Sequence, residues 1–310
     1  EMVLNNASGT RRQVLHVVEC DPSNPDISIV PGYYGIDKDL TVIDNQKAAK
    51  LTDTAAYYEN NLGYNVIAGM NTGLRYDTNA PSILVYNGQN LSLGKNSPST
   101  YLGVYKDEDN NISCMVKAAS QLDADLASGN LWQAIACNFG FTVRDGELVT
   151  KTEERTSSAA SRSMVGVKAD GTLVFVMNDG RGANNSVGFC TYELGESMLA
   201  LGCQWAVNCD GGGSSTFLSK RAGEEELSMR SVPSDGAERP TIESLFLVSN
   251  VAPTGILQSA NIESEYNYFA PGVTYEFGAS AIDTHGYQMD MPAGTTWALS
   301  DPSFGTIEDG

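Results

Sequence analysis

Histidine is scarce: His16 and His285 are the only two in 310 residues. A Ser–His–Asp triad would have to recruit His16, because His285 lies in a tail of different composition. A lone histidine is more often structural, so acid–base chemistry falls to Asp and Glu. The six cysteines, Cys20, Cys114, Cys137, Cys190, Cys203 and Cys209, form no C-x-x-C pair and have no histidine partner. That argues against zinc and leaves them as buried small apolar side chains. No run of about 18 apolar residues exists, so no segment is a candidate membrane span. Residues 1–6 lack the basic and apolar parts of a signal peptide. Positive charge is short as well. Nineteen Lys and Arg against 38 Asp and Glu leave a net charge of −19. Nucleic acid is a poor partner for such a chain. An anionic substrate stays open if arginines are focused in one place.

What is present centres on residues 206–217, Ala-Val-Asn-Cys-Asp-Gly-Gly-Gly-Ser-Ser-Thr-Phe. An apolar strand pattern delivers a carboxylate, Asp210, to three successive glycines and three hydroxyls. Glycine triplets lose much backbone freedom on folding, and they allow close approach of backbone N–H groups to a ligand. Gly211, Gly212 and Gly213 are therefore expected to form an anion-binding concavity, with Ser214, Ser215 and Thr216 as extra donors. The bland alternative is a tight turn solvated by Ser and Thr. A nucleotide phosphate loop is excluded, since Gly-Lys-[Ser/Thr] is missing and Lys220 arrives too late.

Along the chain, residues 13–19, 26–30, 64–68, 82–86, 101–105, 112–116 and 131–138 read as strands. Residues 44–62, 118–127 and 187–201 read as helices. Residues 69–73 (Gly-Met-Asn-Thr-Gly) form a second glycine-bearing polar turn, in which Asn71 and Gly73 are candidate ligand contacts. Residues 107–111 resemble a calcium loop but fail as an EF-hand, because Ile112 stands where Gly is required. Residues 152–163 are polar and expected to be exposed. Residues 164–168 and 173–177 make the clearest hairpin, around Ala169-Asp170-Gly171-Thr172. Its open end brings Arg162 beside Asp179 and Arg181. Read without function, that is a surface ion pair worth roughly 0–1 kcal/mol. A helix over 187–201 followed by a strand over 204–209 points to α/β-type layering with a ligand edge at the strand's carboxyl end. The last strand of the main domain is expected at 242–248. The fold class expected is α+β or α/β, a mixed sheet with flanking helices.

After Asn250 there is no Lys or Arg, against eight Asp and Glu. Ala252-Pro253-Thr254-Gly255 reads as a linker. The division expected is a domain over 1–250 and a partial β-sandwich over 251–310, with β segments at 274–281 and 295–299.

The block 208–217 resembles the signature of the phosphodiester glycosidase family. The resemblance extends to Arg162–Gly166, Asp170-Gly171, Asp179-Gly180-Arg181 and Arg239-Pro240. Residues 68–73 are similar to the family's Asn-Gly-Gly segment, with Thr72 in place of the first glycine. The tail, through residues 296–301 around Trp297, is similar to bacterial immunoglobulin-like modules. The resemblance implies hydrolysis of a sugar-1-phosphodiester at the glycosidic C–O bond, with a linkage of the α-N-acetylglucosamine-1-phosphate type. It implies no cofactor and an extracellular or cell-surface location. Arg162 or Arg181 would hold the phosphate. Asp210 or Asp179 would activate water or attack the anomeric carbon, the other acting as proton donor or steadying Arg162. A non-catalytic module that grips anionic glycan is the alternative. A metal phosphodiesterase would need a His and Asp ligand cluster that the sequence does not offer.

Overall fold

The computed structural model describes residues 1–5, 11–41, 47–74, 80–93, 97–149, 159–266 and 268–308. It divides into two compact units, one over 1–219 with 227–250, the other over 220–226 with 251–310. Most of the regular structure is β.

The larger unit holds three sheets. The first has seven strands, in the order Met2–Asn5, Arg12–Cys20, Leu173–Asn178, Arg162–Lys168, Cys203–Asn208, Phe141–Arg144, Glu147–Leu148. The second has five, in the order Ser228–Met229, Phe217–Ser219, Asn65–Asn71, Ser244–Ser249, Ile27–Gly32. The third also has five, in the order Gln89–Asn90, Leu84–Tyr86, Leu131–Ala136, Thr100–Lys106, Ile112–Ala118.

Period-two patterning decides which face of the first sheet goes where. Val165, Val167, Leu173, Phe175 and Met177 face a core shared with Met70 and Phe246 of the second sheet and Leu102 and Ile135 of the third. Met164, Val174 and Val176 face the other way, onto Leu194 and Met198 of the helix Thr191–Ala200. Gly166 is needed on that face, since a Cβ there would lie 2.7 Å from the Met198 Cε.

The expected hairpin is present. Arg162 pairs with Asn178 and Val167 with Leu173, and Lys168 and Thr172 close the turn. All six cysteines are buried and unbridged. Three expectations need correction. The strand–helix alternation pointed to α/β layering, but every strand pairing among the described residues is antiparallel. The Thr191–Ala200 helix lies on one face of the first sheet instead of joining parallel strands. Residues 69–71 were expected to turn, yet they continue the strand Asn65–Asn71. Gly69 pairs with Phe246, whose ring fills the space where a Cβ would stand 2.6 Å away. The helix expected over 44–62 is an α-helix over Leu51–Tyr57 running into a π-helical turn Tyr58–Leu62. Its expected start falls partly outside the described residues, as does most of the polar stretch 152–163.

The smaller unit carries a three-stranded antiparallel sheet, Leu257–Glu263, Gly278–Asp283 and Gln288–Met289. Asp283 closes its turn by accepting the His285 and Tyr287 N–H groups, both at 2.9 Å. The strand expected over 295–299 is not formed. Three strands fall short of an immunoglobulin-like sandwich. Among the described residues, no helix is long and apolar enough to cross a membrane.

Candidate active site

The loop Asp210–Thr216 carries the chain from the Cys203–Asn208 strand of the first sheet to the Phe217–Ser219 strand of the second. It is tied to both. The Cys209 and Gly212 N–H groups donate to the Ser163 and Ser161 carbonyls, at 2.9 and 2.7 Å, on the neighbouring strand segment. The Asp210 N–H donates to the Thr72 carbonyl at 3.0 Å, just past the second-sheet strand Asn65–Asn71. Asn71 is the clamp between them. Its Nδ2 donates to the Asp210 carbonyl at 2.9 Å, and its Oδ1 accepts from Ser163 Oγ at 2.9 Å and Thr216 N at 3.0 Å.

Asn71 and Gly73 therefore need correction as ligand contacts. Asn71 is fully buried and its amide is spent inside the protein. Gly73 donates to the Glu243 carbonyl at 3.2 Å, and the Glu243 side chain fills the place of a Cβ. Both residues position the loop from beneath. Ser215 is likewise buried, its Oγ 3.4 Å from Ser163 Oγ.

Asp210 itself is 9% exposed. Burial raises its carboxyl above the ordinary range, against the Ser214 hydroxyl, the Arg239 cation and the Gly211 N–H. The three glycine amides were expected to face an anion together. Two are committed within the protein instead, Gly211 to Asp210 and Gly212 to Ser161. What lies against the loop is cationic. A Cβ on Gly211 would stand 3.3 Å from Arg162 Cδ. One on Gly212, which sits at φ +65°, would stand 3.1 Å from Arg181 Nη2. One on Gly213 would collide with Asp235 Oδ2 and Arg239 Nη2. Side chains here would displace the arginines, which gives the triplet a physical reason. Ser214 Oγ accepts from Arg239 Nη1 at 3.4 Å.

Arg162 is partly buried, and its Nε donates to the Phe189 carbonyl at 3.2 Å. Burial and the nearby Arg181 cation lower its pKa. Arg181 sits at φ +57°, a costly conformation for a residue with a Cβ, and its side chain is half exposed. The turn that imposes it is closed by Arg181 N to the Val187 carbonyl at 3.1 Å and Gly182 N to the Ser186 carbonyl at 2.9 Å.

Asp179 is on the far side of the Arg162–Lys168 strand and is fully buried. Its Oδ2 lies 2.9 Å from His16 Nε2 and accepts from Asn184 Nδ2 at 3.0 Å. Its Oδ1 accepts from Val232 N at 2.9 Å. The His16 ring stacks on Phe217, centroids 5.6 Å apart. Asp179, expected to touch substrate, thus has both oxygens engaged by protein. It holds His16 and the 231–240 segment in place.

The sequence reading missed His16, Asp235 and Arg239 as site residues. His16 could not be found locally, since its partner is 163 residues away. Arg239 stood within the Arg239-Pro240 motif, and that signal went unused. Among the described residues, no group of three or more His, Cys, Asp or Glu side chains could hold a metal ion.

A family model described as phosphodiester glycosidase matches residues 64–248, more than half of the chain and all of the glycine loop. The chain belongs to the phosphodiester glycosidase family. It is accordingly a glycosidase-type hydrolase. No curated protein sequence matches this glycosidase significantly. Among solved structures, it is similar to the zebrafish N-acetylglucosamine-1-phosphodiester α-N-acetylglucosaminidase catalytic domain, auto-inhibited by its pro-peptide. The TM-score is 0.56 at 17% identity, over 81% of each chain. A Burkholderia pseudomallei protein described as exported gives a TM-score of 0.56 at 14% identity, over 77% of this chain and 74% of that one. A hypothetical protein from Synechocystis gives 0.52 at 13% identity, over 80% of this chain and 61% of that one. At such identities the likeness concerns the fold.

Proposed function

We propose that the glycosidase hydrolyses a sugar-1-phosphodiester of the α-N-acetylglucosamine-1-phosphate type, at the bond between the anomeric carbon and oxygen. The observation that carries this reading is a largely buried carboxylate, Asp210, at the start of a glycine loop rimmed by Arg162, Arg181 and Arg239. The linkage follows the name of the zebrafish relative.

The charge change in the reaction explains why cations sit there. A phosphodiester carries one negative charge, and the released monoester carries two. As the C–O bond breaks, its electron pair moves to the phosphate oxygen. Arg162 and Arg181 then face more charge than they did in the ground state. Only interactions that strengthen in this way accelerate the step. Each charge-assisted hydrogen bond contributes about 1.5–3 kcal/mol. Phosphate needs little help from an acid as a leaving group, so the engaged His16–Asp179 pair need not supply one.

Asp210 acts on the other partner. Water attacks the anomeric carbon and gives a proton to the Asp210 carboxylate, leaving a sugar with a free 1-hydroxyl. Burial raises the Asp210 pKa, which makes the carboxylate a better proton acceptor. Asp179 acts at one remove, by fixing His16 under Phe217 and holding Val232.

Turnover of an α-N-acetylglucosamine-1-phosphodiester in water carrying heavy oxygen tests the reading. Label in the sugar is expected. Label in the phosphate would sink it in favour of a phosphodiesterase, and binding without turnover would favour a glycan-binding module.

A further inference from the structure

The cationic rim already holds an anion of the protein's own. Asp235 Oδ1 lies 3.6 Å from Arg181 Nη1, and its Oδ2 pairs with Arg239 Nη2. The same Oδ2 occupies the space above Gly213 where a Cβ would collide. One carboxylate therefore bridges two arginines directly over the glycine loop, as the two oxygens of a bound phosphodiester would.

The segment that carries Asp235 is fastened at its ends and free in the middle. At one end, Phe217 N donates to Ser231 Oγ at 2.9 Å and Val232 N donates to Asp179 Oδ1 at 2.9 Å. At the other, Glu238 accepts from Thr52 N and Oγ1 at 3.0 and 2.7 Å, and Thr241 N donates to the Ala49 carbonyl at 2.8 Å. Between them is a turn closed by Gly236 N to the Pro233 carbonyl at 3.0 Å. Gly236 sits at φ +79°, and a Cβ on it would meet nothing within 4 Å. The Ser234 hydroxyl, enclosed beside Asp235, has no hydrogen-bond partner among the described residues. An enclosed hydroxyl without a partner disfavours the arrangement that encloses it. The ion pairs are solvent-exposed, with 37% of the Asp235 side chain accessible, so water and salt weaken their grip.

We propose that Asp235 is a displaceable internal anion that closes the phosphate position. Substrate must push the 233–236 turn aside to reach Arg181 and Arg239. This rests on the glycosidase reading for the identity of the ligand, but its test reads anion binding alone. The exchange is one carboxylate for one phosphate at unchanged arginines. It makes Asp235 a selectivity device: weakly held anions fail to open the turn, while a ligand with further contacts to Arg162 succeeds.

Inorganic phosphate is the probe, titrated calorimetrically into the full chain. Asp235→Asn is expected to bind it at least about tenfold more tightly than the unaltered protein. Glu238→Gln removes the same charge three residues on, from a carboxylate held by Thr52. Its amide oxygen can still accept from Thr52 N, which keeps the segment fastened, so affinity should shift by less than about twofold. Hydrogen–deuterium exchange across 233–236 should accelerate when phosphate saturates the unaltered protein. Unchanged affinity in Asp235→Asn, equal gains in both variants, or unchanged exchange would each overturn the proposal. If Asp235→Asn does not fold, the exchange measurement on the unaltered protein decides. A loss here leaves the glycosidase reading standing, and a failed heavy-oxygen experiment leaves the displaceable anion standing.

Discussion

Asp179 and Asp210 stand at the same end of one sheet, on either side of the strand Arg162–Lys168. Two strand spacings, about 10 Å, separate their backbones. Their surroundings differ in every respect that matters for chemistry. Asp179 is sealed, with three donors on its two oxygens. Asp210 is 9% exposed, feels the Arg239 cation and opens a loop of glycines against which Arg162 and Arg181 lie. A carboxylate whose acceptors are all taken by fixed protein donors is a construction element. One whose pKa is raised by burial, and which borders cations able to stabilise a leaving group, is equipped to move a proton.

The largest effect that would break this contrast is at Asp210. Asp210→Asn should lower the single-turnover rate by about 10²–10⁴-fold. Its thermal midpoint should hold or rise, because burial disfavours the ionised carboxyl at neutral pH. An active and equally stable variant would reduce the loop to a structural turn.

Asp179→Asn should show the opposite profile. Asparagine offers one carbonyl oxygen where His16, Asn184 and Val232 all bring donors. Its own amide N–H₂ faces them as well. Each unmet donor costs about 1–3 kcal/mol, so chemical denaturation should show a large loss of stability. The folded fraction should keep most of its turnover. Loss of turnover with the stability intact would move Asp179 into the reaction.

Glu243 gives the smallest and sharpest test of what burial does without a cation nearby. Ser82 N and Oγ bind its Oε1, and burial pushes its carboxyl up to about 7. The folded protein thus holds a proton that the unfolded chain releases near 4.5. Stability is fully present below that value and is lost as pH rises towards 7. Glu243→Gln keeps the acceptor oxygen and lacks the titration. Between pH 5 and 8 its thermal midpoint should gain on the unaltered protein, by at most about 3 kcal/mol in stability. A constant gap across that range would mean that Glu243 is charged in the folded state.

Part of this contrast was legible in the sequence. Residues 162–178 declared their hairpin through alternation and a turn of Asp and Gly, both local signals. The glycine triplet declared a close approach of something, and Asp210 before it declared a carboxylate at a strand end. What approaches was not legible. Arg181 is placed by a left-handed turn, and Asp235 and Arg239 arrive from a segment about 20 residues beyond the loop. The burial of Asp179 depends on His16 and Val232, from distant parts of the chain. The α/β expectation failed for a related reason. Helix followed by strand is a local pattern, whereas the antiparallel pairing of Cys203–Asn208 with Arg162–Lys168 is set by registry across the sheet.

The pairing of strand Arg12–Cys20 with Leu173–Asn178 also governs how the molecule comes into being. His16 leaves the ribosome 163 residues before Asp179. At ordinary synthesis rates that is an interval of roughly 8 to 33 s. Throughout it, a nine-residue strand with a strongly apolar face has no neighbour from its own chain on that side. Loop closure over such a distance is slow, and exposed strand edges invite pairing with other chains. The nascent glycosidase therefore leaves this edge of strand Arg12–Cys20 open for that interval, and the cationic end of its site is complete only once Arg239 has been made.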